Sequence, residues 1–68
     1  MTNKNLLKSK LALKGYTQKA IAGKILMKEP TLTQKINNNQ PFRTEEIAKI
    51  KKILNLTNDE VVEIFINE

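Results

Sequence analysis

The sequence holds no cysteine, no histidine and no tryptophan, and its 68 residues include a single serine, Ser9, and a single aspartate, Asp59. Without cysteine there is no disulfide framework, and without histidine as well there is no plausible zinc site. The fold must therefore rest on a hydrophobic core or on a second subunit. The lack of cysteine fits a cytoplasmic protein. The same absences argue against an enzyme, because no nucleophile-and-base pair and no metal-activated water can be assembled in a familiar form. Glu45 and Glu46 are adjacent carboxylates, but neighbours on a helix diverge by about 100°, and acids in a first helical turn complement its dipole. They read as a helix start, and no cofactor is expected. Apolar runs never exceed three residues, against about 20 for a membrane span and 7 or more for the apolar part of a signal peptide. The expectation is a soluble protein without a membrane partner.

What the sequence does hold is an uneven distribution of charge. Residues 1–44 carry nine bases against one acid, Glu29, a balance of +8, whereas residues 45–68 carry three bases against six acids, a balance of −3. A split of this size suggests a basic section for a polyanion and a separate acidic end. A chain this short makes one small domain, residues 1–68, burying only about 60% of the surface exposed when unfolded.

Two glycines and two prolines punctuate the chain, and apolar residues recur at three- and four-residue spacing, which predicts an all-α protein of five helices. The first spans Asn3 or Lys4 to Lys14, with Leu6, Leu7, Leu11 and Leu13 as apolar surface, and closes at Gly15. Thr17 caps a second helix from Gln18 to Ile25, in which Ile21, Ala22 and Ile25 share a face. The third runs from Glu29 to Asn37 or Asn38 with Pro30 in its first turn. Leu32 and Ile36 lie within about 40° of each other, while Pro30, Thr33, Gln34 and Asn37 form a polar stripe on the other side. Asn suits the left-handed exit that follows. A fourth helix, Thr44 to Leu54, offers Ile47, Ile50 and Leu54 inward and Lys49 and Lys52 outward. Thr57 to Glu60 is a capping box opening a fifth, with Leu56 against Val61 as a staple and Val62, Phe65 and Ile66 as the buried stripe. Tyr16, Gly23 and Met27 read as structural.

Two short helices joined by a tight turn at Leu26 and Met27, with the small Ala22 at their approach, form a unit whose second member can present its polar stripe to a major groove. Here the chain resembles the Cro-like and lambda-repressor-like helix-turn-helix regulators of phages and their bacterial relatives, those of Gram-positive phages especially. The resemblance is carried by Tyr16-Thr17-Gln18-Lys19, Ile21-Ala22, Leu32-Thr33-Gln34-Lys35-Ile36-Asn37-Asn38, Pro41-Phe42, Glu46-Ile47, and Ile53-Leu54-Asn55-Leu56-Thr57 with Ile64-Phe65. It implies a five-helix lambda-repressor-like DNA-binding domain with its helix-turn-helix at helices 2 and 3. It further implies that Gln18 holds a phosphate at the start of the second helix. Lys19, Lys28, Lys35 and Arg43 are the implied backbone contacts, although a lysine on a helix is ordinarily just solvated. The groove-facing set is Glu29, Pro30, Thr31, Thr33, Gln34 and Asn37, with Gln34 able to pair bidentately with adenine.

The implied function is a sequence-specific regulator, a repressor of Cro type at a lysis-lysogeny type switch in the bacterial cytoplasm. Its partner is a double-stranded operator, and because one module offers roughly 600–1,000 Å² of interface, useful affinity would need a dimer. The acidic fifth helix is the candidate dimer contact. The chain departs from the family pattern at the motif, and three residues, Leu26, Glu29 and Pro30, motivate an alternative, an antirepressor that binds a partner repressor. Leu26 stands where the family has Gly, so it either accepts a positive φ or the turn takes another shape. Lys28 replaces the usual Ser or Thr cap. Glu29 and Pro30 occupy the tip, where an acid can accept from cytosine N4 but otherwise repels phosphate. An amphipathic membrane-surface module is a poorer reading, because the lysines are scattered over several segments instead of gathering on one helix face.

Overall fold

The computed structural model describes residues 1–66. Among these the chain forms five α-helices and no strand: α1 (Lys4–Leu13), α2 (Gln18–Lys24), α3 (Glu29–Ile36), α4 (Thr44–Leu54) and α5 (Asn58–Phe65). Each contributes a narrow apolar stripe to one core made of Leu7, Leu11, Ile21, Ala22, Ile25, Leu32, Ile36, Ile50, Leu54, Leu56, Ile64 and Phe65. Burial of one such Leu or Ile side chain is worth about 1.5–3 kcal/mol. α2 packs against α3, and α5 packs against both α1 and α4. α1 and α5 run antiparallel: the Asn3 N–H donates to the Ile64 carbonyl at 2.6 Å, and at the other end Lys10 pairs with Glu60 at 2.5 Å.

Local chemistry sets the helix boundaries. The side-chain oxygens of Asn3, Thr17 and Thr57 each accept the N–H of the residue three positions on, at 3.1 Å. Glu60 reciprocates to the Thr57 N–H at 2.8 Å, completing the expected capping box. At their C-termini, α1 to α4 all close by one device. The chain turns left-handed at Gly15 (φ 80°), Leu26 (φ 60°), Asn38 (φ 66°) and Asn55 (φ 53°). At each, paired backbone bonds run back to the helix, for example from Leu26 N–H to the Gly23 carbonyl and from Met27 N–H to the Ala22 carbonyl. Glycine and asparagine suit this conformation. Leucine does not, and Leu26 gains no compensating burial because it is 88% exposed.

α2 ends at Lys24, with Ile25 as its C-cap, and α3 at Ile36, with Asn37 as its C-cap, each within one residue of the expected bound. Expectations about several side chains are corrected. In α5 the buried pair is Ile64 and Phe65, whereas Val62 and Ile66 are half or more exposed. The reason is register: Val61, Ile64 and Phe65 share the face turned toward the core, and Val62 and Ile66 lie about 100° around the helix from it. Leu13 is likewise exposed, because Leu7 and Leu11, spaced by four, occupy the buried stripe of α1. Tyr16 and Met27 pack against the core as expected, but Gly23 is exposed and a Cβ there would meet nothing within 4 Å. No packing requirement explains that glycine.

Leu26→Gly is expected to stabilise the chain by up to about 1 kcal/mol, because relief of the left-handed conformation exceeds the added freedom of glycine in the unfolded state. Gly15→Ala, at the equivalent position of α1, is expected to destabilise by about 1 kcal/mol for the converse reason. Urea unfolding of the two variants measures both signs.

Hydrogen bonding by Lys10 and by the Thr57 N–H holds the Glu60 carboxyl at about 2 against an ordinary 4.5. A carboxyl with a depressed folded-state pKa contributes stability above its unfolded value, and that contribution disappears as pH falls through the folded value. Stability is expected to decline between pH 4.5 and about 2, and Glu60→Gln to flatten the decline in that window. Denaturant midpoints collected at several pH values give the comparison.

Candidate nucleic-acid interface

The orientation of α3 follows from what its inner side buries. Leu32 and Ile36 are each 1% exposed, and they turn Pro30 and the amides of Gln34 and Asn37 to solvent on one face. The edges of that face are held by polar contacts. On one edge the half-buried Thr33 hydroxyl donates to Oε1 of Gln18 at 3.3 Å, which brings the start of α2 beside α3. This bond uses the Gln18 carbonyl oxygen and leaves its amide N–H groups to serve another partner.

The opposite edge rests on α4. The Lys35 ammonium donates to both carboxylate oxygens of Glu46, at 2.6 and 2.7 Å. Oε1 of Glu46 also accepts the Arg43 N–H at 2.8 Å, which closes the N-terminus of α4. Burial pushes the Glu46 carboxyl up, but the Arg43 N–H and the hydrogen bonds and charge of Lys35 together outweigh it and hold the group below the ordinary carboxylate range. The loop that delivers Arg43 is anchored by Phe42, whose ring meets Phe65 edge-on at a centroid separation of 5.1 Å.

Seven of the eleven residues singled out from sequence are exposed: Lys19, Lys28, Glu29, Pro30, Gln34, Asn37 and Arg43. Gln18, Thr31 and Thr33 are half-buried. Lys35 is the exception: it is 6% exposed, with its ammonium committed to Glu46. Its position at 240° from the start of α3, on the side facing α4, accounts for the difference. Lys28 caps α3 without a side-chain acceptor, so the departure from a Ser or Thr cap leaves the first N–H groups of that helix without a side-chain partner.

Two features were not anticipated from sequence. A groove of about 430 Å³ runs along the α4 edge of α3, where Lys49, Gln40 and the carboxylates of Glu45 and Glu46 join Thr31, Lys35 and Arg43 in its wall. The spacing of Lys49 marks it only as an outward residue of α4 and does not identify the groove. Asn38 does more than accept a left-handed conformation: its side chain takes the Thr2 N–H at 2.7 Å and donates to the Thr2 carbonyl at 3.0 Å, tying the exit of α3 to the chain start. A contact spanning 36 positions leaves no local signature.

Among the described residues no cluster of side chains is suited to hold a metal ion, and no helix is long and apolar enough to cross a membrane. None of the protein-family models and none of the curated proteins compared with the chain matches it.

Proposed function

We propose that the chain is a sequence-specific binder of double-stranded DNA, a transcriptional regulator of the Cro-like, lambda-repressor-like kind. In this reading α2 and α3 form the helix-turn-helix and α3 enters the major groove. The observation that carries the reading is the face of Pro30, Gln34 and Asn37, exposed in register on a helix whose other side is fully buried. A major groove admits one helix and displays a donor and acceptor pattern that an exposed Gln or Asn can read. Gln18, Lys28 and Arg43 flank that face and contribute phosphate contacts, which set register and supply most of the salt-dependent affinity. The positive balance of residues 1–44 favours the same polyanion. The protein acts as a non-enzymatic repressor in the cytoplasm at a phage-type switch, and it needs a homodimer on a palindromic or repeated site for useful affinity.

A second reading, an antirepressor that binds a partner repressor, is favoured by one observation. Leu26 projects an apolar side chain into solvent from a left-handed turn next to the acid Glu29, an arrangement better suited to a protein partner than to a phosphate backbone. Co-purification with the partner repressor, without DNA binding by the chain alone, would establish that reading.

Selection of duplexes from a random pool, followed by fluorescence anisotropy against salt, tests the first reading. Gln34→Ala is expected to lose about 1–3 kcal/mol of discrimination at one base pair. Lys28→Ala is expected to weaken all sequences alike and to flatten the salt dependence by about one unit. Absence of any duplex binding above the high-salt background would eliminate the proposal.

A further inference from the structure

Glu46 makes two contacts with one carboxylate. It binds the ammonium of Lys35 through both oxygens, at 2.6 and 2.7 Å, and it accepts the Arg43 N–H at 2.8 Å. Lys35 lies next to Gln34 in the chain, so its side chain leaves α3 one residue away from the exposed polar face. The pair is not sealed inside the core, because Lys35, Arg43 and Lys49 all line the same solvent-open groove along the edge of α3. To an ammonium group, a carboxylate offering two oxygens at hydrogen-bond distance is chemically close to the two unesterified oxygens of a backbone phosphate.

We infer that Glu46 is an internal stand-in for phosphate: it withholds Lys35 from the nucleic-acid backbone and clamps α3 to the start of α4. The inference rests on the DNA-binding reading proposed above and deepens it by assigning Glu46 a role in specificity. A free lysine at this edge would add a contact that every sequence satisfies equally. The carboxylate removes that indiscriminate contribution. By holding the Arg43 backbone as well, it fixes the angle between α3 and the loop that follows. Glu46 is thus a positioning residue, and it exchanges general affinity for discrimination.

The test compares the wild type with Glu46→Gln, Glu45→Gln and Lys35→Gln, using a mixed-sequence duplex and the duplex that the wild type selects from a random pool. Glutamine at 46 keeps an acceptor for the Arg43 N–H and removes the charge that holds Lys35. Glu46→Gln is expected to bind the mixed-sequence duplex more tightly, to show a log–log salt slope steeper by about one unit, and to lose preference for the selected duplex. Glu45→Gln makes the same change in net charge on the same turn, at an exposed residue outside any ion pair among the described residues. Its slope is expected to move by less than half as much. Lys35→Gln is expected to leave the wild-type slope unchanged, which keeps the inference testable should Glu46→Gln fold poorly by circular dichroism.

A Glu46→Gln slope no steeper than that of Glu45→Gln would overturn the inference while leaving the DNA-binding reading intact. A Lys35→Gln slope shallower by about one unit would do the same, since Lys35 would then already meet a phosphate in the wild type. Failure of both the wild type and Glu46→Gln to bind either duplex would remove the inference and the functional proposal together.

Discussion

A core this small gives each helix one stripe to bury, and every other feature of the chain depends on that constraint. α3 illustrates the consequence. Leu32 and Ile36 are its only fully buried apolar residues, and two side chains four apart fix how a helix is rotated but not how it is tilted. The tilt is set at its edges and end by polar contacts: Thr33 with Gln18, Lys35 with Glu46, and Asn38 with the Thr2 backbone. Polar groups do here what additional apolar surface would do in a larger domain.

The shared left-handed closure of α1 to α4 is a second consequence of small size. Short helices joined by short turns need an abrupt reversal, and the paired backbone bonds at each end supply it. Three of the four closures use a residue suited to the conformation. Leu26 is the mismatch, and it lies in the connection that sets the approach of α2 to α3. A strained, exposed apolar residue at that point costs stability without improving packing.

The legibility of the sequence followed the range of the interactions. Thr17, Gly15, the capping box at Thr57 and the position of Pro30 act within one helical turn, and each was readable. The rotation of α3 was readable because Leu32 and Ile36 leave only one side for solvent. Features decided between helices were not. Lys28 and Lys35 are the same residue type on one segment, yet one is exposed and the other buried against Glu46. The swap of Val62 and Ile66 for Ile64 in α5 was hidden for a related reason. A run of apolar residues is compatible with two helical registers, and only the packed neighbours α1 and α4 select one. For the candidate site, the central polar face was visible in the sequence, while the groove with Lys49 and the Glu46 clamp required the fold.

The central claim is that the exposed side of α3 is the surface that meets duplex DNA. Backbone amide chemical shifts, followed by NMR while the duplex selected by the chain is added, test it residue by residue. Perturbations are expected to cluster at Gln18, at residues 28–37 and at Arg43, with α5 unaffected apart from residues that move on dimerisation. Perturbations confined to α1 and α5, with residues 28–37 unchanged, would contradict the claim.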